Sequence, residues 1–360
     1  MPTWTARGRA RPALARLARA EMDNDTFRHE AVAVLRQAIG FDWWCWTLLD
    51  PATGLPTRGI GDHPVVSQAQ RRFYRLLLDD AWEPGRAAAA RRAQSAVRVL
   101  STATGGDMRH ERCWREMLGP AGTGDILQSW LITDGTCWAL VSIERDSSGG
   151  WFGEDDAAFV ADVSPLLATR VRNGLRTSSR PDDPRPAPGT IIVDSDLSLV
   201  AATGQAWRWI DRLGMEPPNE QEPLPGTIYA IATRVAAGAG EPPRTARVPI
   251  QAADGGWVVI QVAALTQGPP CAGVSGGYAI TLEGARSDDL APLLMRAWAL
   301  SPREREVARL VIDGLSTEDI AAMLFISQHT VHDHLKVIFD KLGVHRRRDL
   351  VAALAGAAAR

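Results

Sequence analysis

The sequence predicts two α+β units followed by an all-α four-helix unit, on three observations. From Ser301 onward, apolar residues recur at helical spacing between serine caps and glycine stops. Before Thr177, and again after Gly189, helices mix with hairpin signals in an α+β order rather than as alternating βα units. Between the two, TSSRPDDPRPAPG (177–189) holds four prolines and no large apolar side chain, the composition of a linker.

The length of 360 residues fits two or three domains, and 45% apolar content suffices for packed cores. A net charge of −2 means that any nucleic-acid surface must be local. From Ile326 onward Lys336, Lys341, Arg346, Arg347, Arg348 and Arg360 outweigh Asp333, Asp340 and Asp349. Four cysteines without C-x-x-C spacing fit reduced thiols in the cytoplasm, and no haem or metal spacing accompanies them. No stretch reaches the ~18 apolar residues of a membrane helix. The start, with five arginines and no apolar core, is not a signal peptide; residues 1–25 are expected to be a basic tail, disordered or loosely helical. Lys336 and Lys341 are the only lysines. The region before them therefore cannot hold a Walker A loop, a kinase lysine or a Schiff-base lysine. With no H-E-x-x-H and no His/carboxylate cluster at ligand spacing either, the chain is not expected to be an enzyme or to need a cofactor.

In the first unit, 26–176, the sequence predicts helices over 26–39, 68–78 and 87–97, a strand over 41–49, and a closing helix over 152–176. Strands at 126–133 and 138–145 flank Asp134-Gly135, a hairpin signal. Eight of the thirteen tryptophans lie between Trp43 and Trp151. They serve as core, or as walls of a pocket for a small flat ligand, for which Trp44, Trp46, Trp130 and Trp138 are the candidates. After the linker, 190–283 reads as two strands, helices at 205–213 and 227–237, then three strands. The segment 284–299 reads as a connecting helix whose apolar stripe needs a partner, either the domain behind it or a second protomer.

In 300–360, Ser301 with Pro302 and Glu304 forms a capping box, Gly314 a stop, Ser316 with Asp319 a second box, and Ser327 a third cap. Val331, Leu335, Ile338 and Leu342 make one stripe, ended by Gly343; a last helix runs from Arg346 to about Ala358. Two helices joined at Phe325-Ile326, the second with a polar outer face, match a helix-turn-helix.

The residues Leu300-Ser301-Pro302-Arg303-Glu304-Arg305-Glu306-Val307, Gly314-Leu315-Ser316, Asp319-Ile320-Ala321, Leu324-Phe325-Ile326-Ser327, Thr330-Val331-His332-Asp333-His334 and Lys341-Leu342-Gly343-Val344 resemble the LuxR/FixJ-type DNA-binding domain. The resemblance implies that the helix from Gln328 to Lys341 enters the major groove. It gives a DNA-binding set of Ser327, Gln328, His329, Thr330, Val331, His332, Asp333, Lys336, Lys341, Arg346 and Arg347. His332 and Asp333 stand where the family usually has a basic residue and its neighbour. The first unit resembles a GAF domain, chiefly in its ending from Phe152 through Pro165-Leu166-Leu167 to Arg170; the second resembles a PAS domain in element order.

The function implied is a cytoplasmic, homodimeric transcriptional regulator that binds double-stranded DNA, with RNA polymerase as a further partner and no membrane association. A small-molecule effector is expected in the N-terminal units. The alternatives are that these units dock another protein, or that the chain is an enzyme with a DNA-binding tail. Signalling is expected to be conformational rather than by phosphorylation. Asp333 and His332 predict G·C-containing half-sites and tighter binding as pH falls from about 8 to 6.

Overall fold

The computed structural model describes residues 4–80, 96–176, 186–215, 219–236, 245–265 and 276–355. The helix expected over 87–97 lies outside them except at its end, where Val97 begins a strand.

The first unit opens with helices α1 (Trp4–Leu17) and α2 (Asn24–Ile39). Strands β1 (Trp43–Leu49) and β2 (Pro56–Gly61) follow. Short α3 (Pro64–Gln68) leads into α4 (Gln70–Asp80), and β3 (Val97–Val99) into the single turn α5 (Leu100–Ala103). A hairpin of β4 (Thr123–Thr133) and β5 (Thr136–Asp146) precedes the long α6 (Glu154–Gly174). The hairpin turns where expected: Asp134 and Gly135 both take positive φ, +50° and +69°, the demand that makes Asp-Gly suit a two-residue loop. The strands form one antiparallel sheet in the order β2-β1-β5-β4-β3.

The second unit holds β6 (Gly189–Asp194), β7 (Leu199–Ala202), α7 (Gly204–Leu213), α8 (Gly226–Ala236), β8 (Thr245–Gln251), β9 (Trp257–Ala264) and β10 (Gly277–Gly284). Its sheet runs β7-β6-β10-β9-β8, the first unit's order repeated: the opening hairpin is joined in the middle by the last strand.

Three segments depart from the sequence reading. The basic tail is helical through 4–17, because Ala10 and Leu14, one turn apart, pack into the core with α2 and α6, while Arg7 pairs with Asp156 at 2.6 Å in the acidic first turn of α6. Strand β2, rich in Pro and Gly, carries no strand signal; it forms by pairing with β1 and needs Gly61, where a Cβ would sit 2.5 Å from the Trp44 carbonyl. Finally, the two large groups of buried side chains do not follow the linker. Phe73 and Tyr74 of α4 pack into the second unit's core, and Gly226 gives α8 room against Gln70 and Tyr74.

The connecting helix α9 (Ser287–Ala297) finds its partner within the chain. Leu290, Leu293, Leu294 and Ala297 are buried in the core shared with the first unit and the C-terminal helices. Arg247 of β8 holds Asp289 at 2.5 Å, and Arg176 at the end of the first unit donates to the Ala297 carbonyl at 2.8 Å while lying over Trp298.

Candidate nucleic-acid interface

The C-terminal unit is α10 (Pro302–Ile312), α11 (Thr317–Leu324), α12 (Gln328–Leu342) and α13 (Arg347–Leu354). The caps fall where the sequence places them. The Ser301 hydroxyl accepts from the Glu304 amide, and Glu304 accepts from the Ser301 amide at 2.8 Å. Ser316 and Asp319 repeat the exchange, each bond 3.1 Å, and Ser327 accepts from the Thr330 amide at 3.0 Å. Phe325 turns α11 into α12 at φ +53°, a left-handed value uncommon for a bulky side chain, and points into solvent at 94% exposure. Val331, Leu335, Ile338 and Leu342 are all buried against α10 and α11, so the opposite face of α12 is fixed outward.

The structure sorts the expected DNA-binding residues into two groups. Gln328, His329, His332, Asp333 and Lys336 are exposed on the outer face of α12, Thr330 is half-buried at its flank, and Arg346 is exposed at the start of α13. Others are occupied. Val331 is fully buried and is core. Ser327 spends its hydroxyl on the cap. Lys341 donates to Glu304 at 2.6 Å and to the Ala299 carbonyl at 3.0 Å, so it staples α12 to the start of α10. Arg347 is bound to the Leu315 carbonyl. Burial pushes the Glu304 carboxyl up, but hydrogen bonds from Lys341 and the Ser301 amide outweigh it and leave the group below its ordinary value.

Asp333 lies beside His329, 3.7 Å from its Nε2, rather than beside His332. His332 places Nδ1 2.8 Å from the Gln328 carbonyl, and only a protonated Nδ1 can donate to it. The free Nε2 is thus an acceptor in the neutral ring and a donor once the ring is charged.

The four candidate pocket tryptophans do not share a pocket. Trp46 is core beneath α2, edge-on to Phe27 at 6.0 Å; Trp44 meets His29 and borders a cleft of 380 Å³. Trp130 packs with Leu49, Cys137 and Leu140, and Trp138 borders a separate cavity of 280 Å³. What the sequence reading missed lies across the first sheet. There Cys45, Thr47, Gln128, Ser142 and Glu144 line a 60 Å³ cavity roofed by Phe73, Leu100, Cys113 and Trp114. Burial pushes the Glu144 carboxyl up to about 7; Thr123 donates to it at 3.3 Å and His63, itself lowered by burial, stands 3.4 Å away. The signal was the alternation Leu140, Ser142, Glu144, which reads as a solvent face until the excursion between β2 and β4 is seen to cover it.

The model of the luxR family of bacterial regulatory proteins matches residues 299–354. Over 55 residues the chain is 44% identical to the spore germination protein GerE of Bacillus subtilis, covering 15% of this chain and 74% of GerE. The chain belongs to the luxR family. An HTH-type transcriptional regulator of Mycobacterium tuberculosis is 51% identical over 57 residues, which is 16% of this luxR-family chain and 6% of that one. Among solved structures, Escherichia coli SdiA aligns over 97% of both chains at 14% identity and a TM-score of 0.36. A VqmA–ligand–DNA complex from Vibrio cholerae aligns over 48% of this chain and 85% of that one, at 17% identity and 0.24. Among the described residues no helix is long and apolar enough to cross a membrane, and no group of three or more His, Cys, Asp or Glu is arranged to hold a metal.

Proposed function

We propose that this chain is a homodimeric transcriptional regulator in which α12 reads the DNA major groove and the N-terminal α+β units receive a small-molecule signal. The observation that carries the reading is the outer face of α12: His329, His332, Asp333 and Lys336 stand exposed on a helix that Ser327 caps and whose inner stripe is buried. Gln328, His329, His332, Asp333 and Lys336 are assigned to base edges and nearby phosphate, and Arg346 and Arg348 to the backbone. Asp333 repels phosphate, so its partner in the groove is a cytosine amino group. The GAF-like and PAS-like assignments are supported by the strand order that both sheets share, with the last strand beside the first. RNA polymerase is the partner a DNA-bound activator would engage. Two half-sites about 34 Å apart are expected, one per protomer. Selection of binding sites from random duplexes, with the wild type and with Asp333→Ala, is the test. The wild type should enrich paired G·C-containing half-sites and the variant relax them; failure of the full chain to enrich any sequence overturns the reading.

A further inference from the structure

The 280 Å³ cavity beside Trp138 lies where three parts of the chain meet. Leu48 and Asp50 at the end of β1 come from the first unit, Ile250 and Trp257 from the second, and Leu293 from the connecting helix. Its size is just under the ~300 Å³ at which small-molecule sites begin. The walls are mostly apolar, with two indoles, and the charges are unequal. Asp23, Asp25 and Asp50 line the cavity against a single cation, Arg58. That arginine is committed: Nε to Asp25 at 2.6 Å and Nη1 to the Leu213 carbonyl at 2.7 Å. Asp50 is only 3% exposed. One of its oxygens accepts from the amide and hydroxyl of Thr53. Among the described residues no cation pairs with it within 4 Å; Arg296 feels its charge but donates to the Pro292 carbonyl instead. A buried carboxylate without an ion partner, at the edge of an apolar cavity with aromatic walls, is a site for a cation that brings its own apolar body.

We propose that this junction binds a small organic amine, its ammonium group on Asp50 and its hydrocarbon part between Ile250, Trp257 and Leu293. The ligand would touch both α+β units and α9 at once. Its binding rests on the cavity alone, while any effect on DNA rests on the regulator reading above.

The test is calorimetric titration of the full chain, without DNA, with phenethylamine, phenethyl alcohol and phenylacetate as probes of one shape and three charges. The amine should bind one to one and at least about tenfold tighter than the alcohol, a difference of ~1.4 kcal/mol, with the anion weakest. Asp50→Asn should bring the amine and the alcohol to within about twofold of each other. Ala253→Trp, on an exposed turn at the cavity mouth, should weaken the amine at least about tenfold without touching Asp50, and covers the case in which Asp50→Asn does not fold. The proposal is overturned if no amine binds, if the alcohol binds equally well, or if Ala253→Trp leaves amine binding unchanged. A chain that binds the amine but selects no DNA sequence would sink the regulator reading and leave this site standing.

Discussion

Replacing Lys341 by methionine separates a structural lysine from a DNA-binding one. Family resemblance puts Lys341 at the end of the recognition helix, where a phosphate contact is expected. The structure instead gives its ammonium to Glu304 at 2.6 Å and to the Ala299 carbonyl at 3.0 Å, with Glu304 bonded in turn to the Ser301 amide. Hydrogen bonds to charged groups contribute about 1.5 to 3 kcal/mol, so Lys341→Met should destabilise the C-terminal unit by roughly 2 kcal/mol. The pH sign follows from Glu304, whose carboxyl is held below its ordinary value. Its contribution is present above the unfolded carboxylate range, near pH ~4.3, and is lost as pH falls through the folded value. The variant should therefore lose stability at neutral pH and show a shallower decline on acidification. DNA affinity, titrated by fluorescence anisotropy from 50 to 200 mM salt, should keep the wild-type salt slope, since no phosphate contact is removed. Lys336→Met, exposed on the outer face, should flatten the slope by about 0.9 or relax one base position. A Lys341→Met protein of unchanged stability, with a slope flattened by about 0.9, would refute the assignment.

Three further outcomes are expected. Glu144→Gln should remove a pH dependence: the wild-type carboxyl, raised to about 7, contributes stability that is full below the unfolded value and lost as pH rises through 7. That loss is about 3 kcal/mol when complete; urea unfolding followed at the tryptophans of the first unit should show the gap between variant and wild type growing from pH 5 to 8, and a constant gap would exclude the buried charge. Leu14→Ala should cost ~2 to 5 kcal/mol in the same assay, because Leu14 is fully buried; an unchanged midpoint would return residues 4–17 to the status of a tail. His332→Ala should relax base preference at one half-site position in binding-site selection, at a cost of about 1 to 3 kcal/mol there, and an unchanged selected site would make His332 a bystander.

The C-terminal unit was legible because its information is local. Each cap spans four residues and the stripe of α12 spans twelve, so spacing alone fixes which face is inside. Non-local bonds were not legible. Nothing near Lys341 in the sequence points to Glu304, 37 residues away, and Val331 was counted in both the stripe and the DNA-binding set although a side chain can serve only one. The first unit misled through composition. Five arginines hid the Ala10 and Leu14 pair in the N-terminal helix, and the tryptophans drew the pocket toward the core face of β1, whereas the polar cavity lies behind Cys45, Thr47 and Glu144 on the opposite face.

The connecting helix decides how a signal could reach the DNA-binding unit. An apolar connector could have been a dimer seam, leaving the sensor units free to swing. Here its stripe is spent inside the chain, and the buried Leu350 and Leu354 show that the apolar side of α13 is spent too. Three bonds tie α9 and its end to separate bodies: Asp289 to Arg247 of the second sheet, the Ala297 carbonyl to Arg176 of the first unit, and the Ala299 carbonyl to Lys341 of α12. With Leu290, Leu293, Leu294 and Ala297 buried on one side, α9 cannot turn about its axis without exposing them. Displacement of either α+β unit must then either break its link to α9 or carry α9 along as a rigid piece. In the second case the Lys341 staple draws the C-terminal end of α12 with it, which changes the angle at which the outer face meets a groove without altering any residue that reads it.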